Sequence, residues 1–85
     1  LDRLTTQPRT LAHSILEAKV LEALSFSEEV QLGRAATRGR DAAAQVVYIS
    51  RLGVMTVVFV FRQDRAGWII DPVETLSRTR ESSRF

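Results

Sequence analysis

Apolar positions near the start of this chain recur with the period of a helix, and those in its second half recur with the period of a strand. From about Pro8 to Leu24, the residues Leu11, Ala12, Ile15, Leu16, Ala18, Val20 and Ala23 fall on one broad arc at 100° per residue. His13, Ser14 and Glu17 fall opposite. The segment therefore predicts a one-sided amphipathic helix, opened by Thr6-Gln7-Pro8, where Thr can cap and Pro is tolerated in the first turn. Lys19 and Glu22 intrude on the apolar arc and Leu21 and Leu24 lie outside it, so the last turn has apolar surface to spare. After Ser25-Phe26-Ser27-Glu28-Glu29, with Phe26 read as an apolar plug, a first strand is expected over Val30 to Thr37.

Arg38-Gly39-Arg40-Asp41 supplies turn chemistry. The second strand, Ala43 to Ser50, alternates Ala44, Val46 and Tyr48 with Gln45, Val47 and Ile49. Arg51-Leu52-Gly53 then reverses the chain into Val54 to Arg62, the strongest strand. It is apolar on both sides: Met55, Val57, Phe59 and Phe61 on one, and Val54, Thr56, Val58 and Val60 on the other, with Thr56 the exception. Two-sided hydrophobicity predicts a central strand covered on both faces. Gln63 to Gly67 reads as a hairpin loop, and Trp68 to about Thr75 as a last strand, with Pro72 near an edge or end. The polar, serine-rich residues 77–85 read as a flexible tail and residues 1–7 as an arm or the end of a preceding element, leaving residues 8–76 as one domain.

The expected fold class is α+β, with one N-terminal helix packed on a curved four-stranded antiparallel sheet. Eighty-five residues allow one small core, and a chain of this size buries only roughly 60 to 65% of its surface. A single helix cannot cover both faces of the apolar central strand, so the sheet predicts a pairing or binding surface.

Composition narrows the chemistry. Without cysteine there is no disulfide, thiolate nucleophile or thiolate metal site, and the redox compartment stays open. No apolar run approaches the ~18 residues that span a bilayer, and no signal-peptide pattern opens the chain. The chain starts at Leu1 without an initiator Met, as an excised domain or part of a longer protein would. Its eleven Arg and one Lys are balanced by ten acidic residues to a net charge of +2, which dilutes any nucleic-acid footprint.

Val30 through Glu74 also resembles the C-terminal half of the nuclear transport factor 2-like, or cystatin-like, superfamily. The resemblance rests on Gly39, Asp41, Ala43 or Ala44, Val46 and Tyr48, then Val57 to Phe61, then Gly67, Trp68, Ile70 and Val73. Two departures stand out: Arg40 is inserted between Gly39 and Asp41, and there is room for one helix where pocket-bearing members have three. Such short versions resemble modules that pair with themselves or with other subunits, and the superfamily hosts enzymes and scaffolds alike.

Candidate chemistry is sparse. His13 and Glu17 can meet at i,i+4, but both lie on the polar arc as a solvated pair. One His and no Cys make no typical zinc site. Asp41 and Asp64 fall in turns, where Asp is expected for conformational reasons, whereas Asp71 falls within the last strand. Arg34, Arg38 and Arg40, with Arg78, Arg80 and Arg84 in the tail, could contact an anion or nucleic acid, but read better as a charged edge defended against aggregation. No phosphate loop, dinucleotide fingerprint, nucleophile elbow or metal-protease motif occurs. The sequence thus favours a non-enzymatic domain without a cofactor. It would pair with a second copy or a protein partner through Val47, Ile49, Val58, Val60 and Ile69. The competing expectation is a small-molecule or catalytic pocket between helix and sheet lined by Tyr48, Phe59, Phe61 and Trp68.

Overall fold

The computed structural model describes residues 10–83. Helix α1 (Leu11–Phe26) leads into strands β1 (Glu29–Arg38), β2 (Asp41–Ile49), β3 (Gly53–Asp64) and β4 (Gly67–Ile70). A short helix, α2 (Pro72–Ser77), and a final strand, β5 (Arg80–Ser83), complete the chain. All pairings are antiparallel in the order β1-β2-β3-β4, with β5 also on β3, so the fold is α+β with an open sheet. As the hydrophobic pattern requires, β3 is the central strand.

Register fixes the two faces. Tyr48 lies opposite Met55, Val46 opposite Val57, Ala44 opposite Phe59 and Ala42 opposite Phe61. These side chains form the helix face, where Tyr48, Met55 and Val57 are buried and Val20 and Ala23 of α1 pack on them. Ile49 opposite Val54, Val47 opposite Thr56, Gln45 opposite Val58 and Ala43 opposite Val60 form the outer face. Because cross-strand pairs share a face, the two-residue period assigns Ala44 to Ile49 and Val54 to Phe61 to the faces that the register shows.

Helix α1 is less one-sided than its spacing predicts. Thr10, whose Oγ1 accepts from the His13 N–H at 3.1 Å, caps it; the predicted Thr6 and Pro8 start lies outside the described residues. Leu16 is buried, with Ala12, His13, Lys19, Val20 and Ala23 partly buried around it. Leu11, Ile15 and Ala18, expected on the core arc, face outward, with Leu11 77% exposed. Apolar residues surround so much of this helix that their arc does not fix its rotation. Ala12, Leu16, Val20 and Ala23 of the expected arc are the ones that turn inward. Phe26, expected as a plug, ends the helix 62% exposed.

The largest departure follows Ile70. Residues expected to continue the last strand instead turn into α2, with Asp71 as its N-cap and Pro72 in the first turn. Pro there needs no N–H partner and has a φ already suited to a helix. Asp71 Oδ1 accepts from the Glu74 N–H at 3.1 Å. Residues 80–83, expected in a flexible tail, pair with β3 from Gly53 to Thr56.

Helix α2 thus sits beside β3 between the segments paired with β4 and β5. Thr75, fully buried, joins them: its Oγ1 accepts from the Val60 N–H at 2.9 Å and donates to the Asp71 carbonyl at 2.7 Å. The Asp71 N–H donates to the Val60 carbonyl at 2.7 Å. Two side-by-side bonds thereby satisfy Val60 where no strand lies beside it. Replacing Thr75 with Val keeps the shape but strands the Val60 N–H, so Thr75→Val is expected to lower unfolding stability by about 1–3 kcal/mol. Thr75→Ser should lose less, and urea unfolding of the three proteins checks the order.

Candidate functional site

The five residues expected at an interface share the outer face. Val47 and Ile49 come from β2, Val58 and Val60 from β3, and Ile69 from β4, where it lies opposite Arg62. Val60 is only 7% exposed in a single chain, so it supports the face from beneath, while Val47, Ile49, Val58 and Ile69 remain partly accessible. Gln45 beside Val58 and Thr56 beside Val47 interrupt the apolar surface with groups that can hydrogen-bond across it.

The four aromatic residues expected around a pocket all lie on the helix face, but spread along it. Tyr48 is buried in the core and Phe59 packs against that core. Phe61 lies further along, opposite Ala42, and Trp68 is 39% exposed near the β3–β4 turn, opposite Gln63. Burial pushes the Tyr48 hydroxyl above the usual phenol range, so it stays neutral. Only Tyr48 of the four lines the larger surface groove, of about 530 Å³, between the last turns of α1, the β2–β3 turn and β5. Phe26 and Leu52 stand exposed at this groove, and Lys19 reaches Glu81 at 3.8 Å between α1 and β5.

Helix length explains the rest of that face. At 1.5 Å per residue the sixteen residues of α1 reach roughly 24 Å, against roughly 40 Å for the twelve of β3 at 3.3 Å each. The helix therefore cannot cover the sheet to its far end. A shallow recess of about 290 Å³, lined mainly by Ala35, Thr37, Ala42, Ala44 and Phe61, occurs at the β1–β2 hairpin. Strand β1 is exposed at every position, with Leu32 85% and Val30 44% exposed.

The ionisable candidates take structural positions. His13 Nδ1 lies 3.9 Å from Glu17 Oε2, as their spacing predicts. His13 turns further inward than a solvated pair would, and its Nδ1 has no hydrogen-bond partner among the described residues. Asp64 Oδ1 closes the β3–β4 turn, accepting from Ala66 N–H at 2.7 Å and Gly67 N–H at 3.1 Å. Asp41 opens β2 opposite Arg38 and Arg62.

Strand β1 stops at Arg38, and Gly39, at φ +62°, turns the chain at Arg40, so Arg34, Arg38 and Arg40 do not line one strand face. Arg78 pairs with Glu74 at 3.0 Å, Arg80 lies opposite Thr56, and Arg84 is outside the described residues. No group of three or more His, Cys, Asp or Glu among the described residues could hold a metal ion. No helix there is long and apolar enough to cross a membrane.

In comparisons with known proteins, the chain matches no family model, no curated protein and no solved structure.

Asp71 is the residue whose role the strand pattern concealed. Pro72 carried the signal, since Asp-Pro followed by Glu two residues later is also a helix start. Besides capping α2, its carboxylate accepts from Arg62 Nε at 2.8 Å. The Glu74 N–H, then Arg62, hold the carboxyl below its usual range against the opposing effect of burial. A lowered folded pKa means stabilisation that is complete above the unfolded value, about 4, and lost as pH falls through the folded value. Asp71→Ala should cost about 1 kcal/mol near neutral pH. Asp71→Asn, which keeps a capping oxygen but loses the charge, should cost less. Its deficit should shrink below about pH 4, as followed by denaturant midpoints across pH.

Proposed function

We propose that this chain is a non-enzymatic interaction domain, a short relative of the nuclear transport factor 2-like superfamily, that associates with a second copy or a partner subunit through its outer sheet face. The observation that carries this reading is that β3 is apolar on both faces while α1 packs on one. Val47, Ile49, Val58 and Ile69 then offer partly accessible apolar side chains on one face that a protein partner would remove from water. Full cover of such a side chain is worth on the order of 1.5–3 kcal/mol before the entropic cost of association. The buried core itself is small: Leu16, Tyr48, Met55, Val57 and Val60 are its buried apolar members among the described residues. Much of the apolar content is therefore left to serve contacts outside the domain.

The groove beside Tyr48 favours a second reading, a small-molecule site between helix and sheet. Ligand-induced NMR shift changes confined to Ala23, Tyr48 and Met55 would support that reading over the first.

The outer-face reading predicts that Val58→Asp lowers the solution mass measured by light scattering over a concentration series. Ile49→Lys, further along the same face, should act in the same direction. Circular dichroism and the unfolding midpoint verify that each variant still folds. An unchanged association state in two folded variants would refute docking through this face.

A further inference from the structure

The sheet has a second exposed feature, which goes beyond the outer-face reading. Strand β1 pairs with β2 on one side and has no strand on the other among the described residues. Ten residues long and exposed throughout, it presents a row of unpaired backbone groups able to accept another strand. We infer that β1 pairs antiparallel with β1 of a second copy, about a two-fold axis between Gly33 and Arg34. In this register Glu29 meets the partner's Arg38, Val30 meets the partner's Thr37, Gln31 meets the partner's Ala36, and Leu32 meets the partner's Ala35.

The bulge makes this register possible. Pairing with β2 steps from Leu32 opposite Val46 to Ala35 opposite Ala44, so β1 carries one extra residue between them. Leu32 and Ala35, three apart, therefore lie on the same face. In a regular strand they would lie on opposite faces, and every pair in the proposed register would be mismatched. With the bulge, Val30, Leu32, Ala35 and Thr37 share the helix face, and Glu29, Gln31, Ala36 and Arg38 share the outer one. The strand is self-complementary about its own middle, as a two-fold contact requires.

Charge and size agree with the same register. An acid begins the strand and a base ends it, so antiparallel pairing places opposite charges together at both ends. Parallel pairing would set Arg38 against the partner's Arg38. Leu32, at 85% the most exposed large apolar side chain among the described residues, meets the small Ala35 of the partner, which leaves room for it. Arg38 already has Asp41 across the hairpin, so an incoming Glu29 joins an acidic neighbour and the Arg bridges both.

Charge reversal and introduced thiols test the register. Arg38→Glu or Glu29→Arg alone should weaken self-association on the order of tenfold, and the double swap should restore it to within about threefold. Since the chain has no cysteine, Leu32→Cys with Ala35→Cys introduces the only thiols. The bulge draws the two positions together on one face, so each substitution is made in a separate chain and the chains are mixed, and oxidation should then join a Leu32→Cys chain to an Ala35→Cys chain. Val30→Cys with Ala35→Cys, out of register, should not.

Repeating the reversal in the Val58→Asp chain separates the two contacts. A residual dimer that Arg38→Glu dissolves supports edge pairing. A Val58→Asp chain that is already monomeric and forms no in-register cross-link overturns edge pairing and leaves the outer face. Loss of association with Arg38→Glu but not with Val58→Asp supports the edge and overturns the face. A strict monomer at every concentration without cross-links overturns both.

Discussion

The structure depends on satisfying β3, which needs hydrogen-bond partners on two edges and apolar cover on two faces. Strand β2 supplies one edge from Val54 to Arg62. The other is shared by β4, Thr75 and Asp71 around α2, and β5. Thr75 is what allows a helix to stand in a place normally held by a strand. Its hydroxyl accepts from one element and donates to the other, so the Val60 N–H is not left buried without a partner. Val57, with no exposed surface at all, lies in the stretch of β3 between the β4 and β5 pairings.

Cover for the faces is unequal. Helix α1 is about two-thirds the length of β3 and lies over the Tyr48 and Met55 end, where Val20 and Ala23 pack. Its own outward side keeps Leu11, Ile15, Ala18 and Leu21 in view of solvent. Exposed large apolar side chains therefore occur on β1, on the back of α1, at Phe26 and Leu52 beside the groove, and at Trp68 and Val73, while the outer sheet face keeps its apolar side chains partly accessible. The proposed association would draw on this distribution. Among the described residues the charged side chains sit mostly in turns, caps and exposed pairs.

The central sheet was legible because its side-chain period is two and its turns carry Gly and Asp. Val47 and Val58 could be assigned to one face, and Tyr48 and Phe59 to the other, from spacing alone. The rotation of α1 was not legible, since Leu11 and Ile15 are as apolar as Leu16 and nothing local distinguishes the inward side. Helix α2 was concealed by Trp68, Ile69 and Ile70, whose β-like composition carries the eye through Asp71-Pro72. The strand role of residues 80–83 had no local signal, because Arg, Glu and Ser form a strand there through pairing with β3 and not through their own preference. The aromatic set shows the same limit in reverse. A shared face is readable from periodicity, but the distance separating Tyr48 from Trp68 along it depends on register.

The interruption of the β3 edge by α2 also gives the sheet a direction. On that side an incoming strand meets two four-residue segments flanking a helix, and no continuous ladder on which to add. Among the described residues, only β1 presents a long uninterrupted border. A molecule with one such border behaves as a chain terminator of its own sheet: a strand added there leaves no second border of that length among the described residues, so strand-by-strand growth stops after one addition.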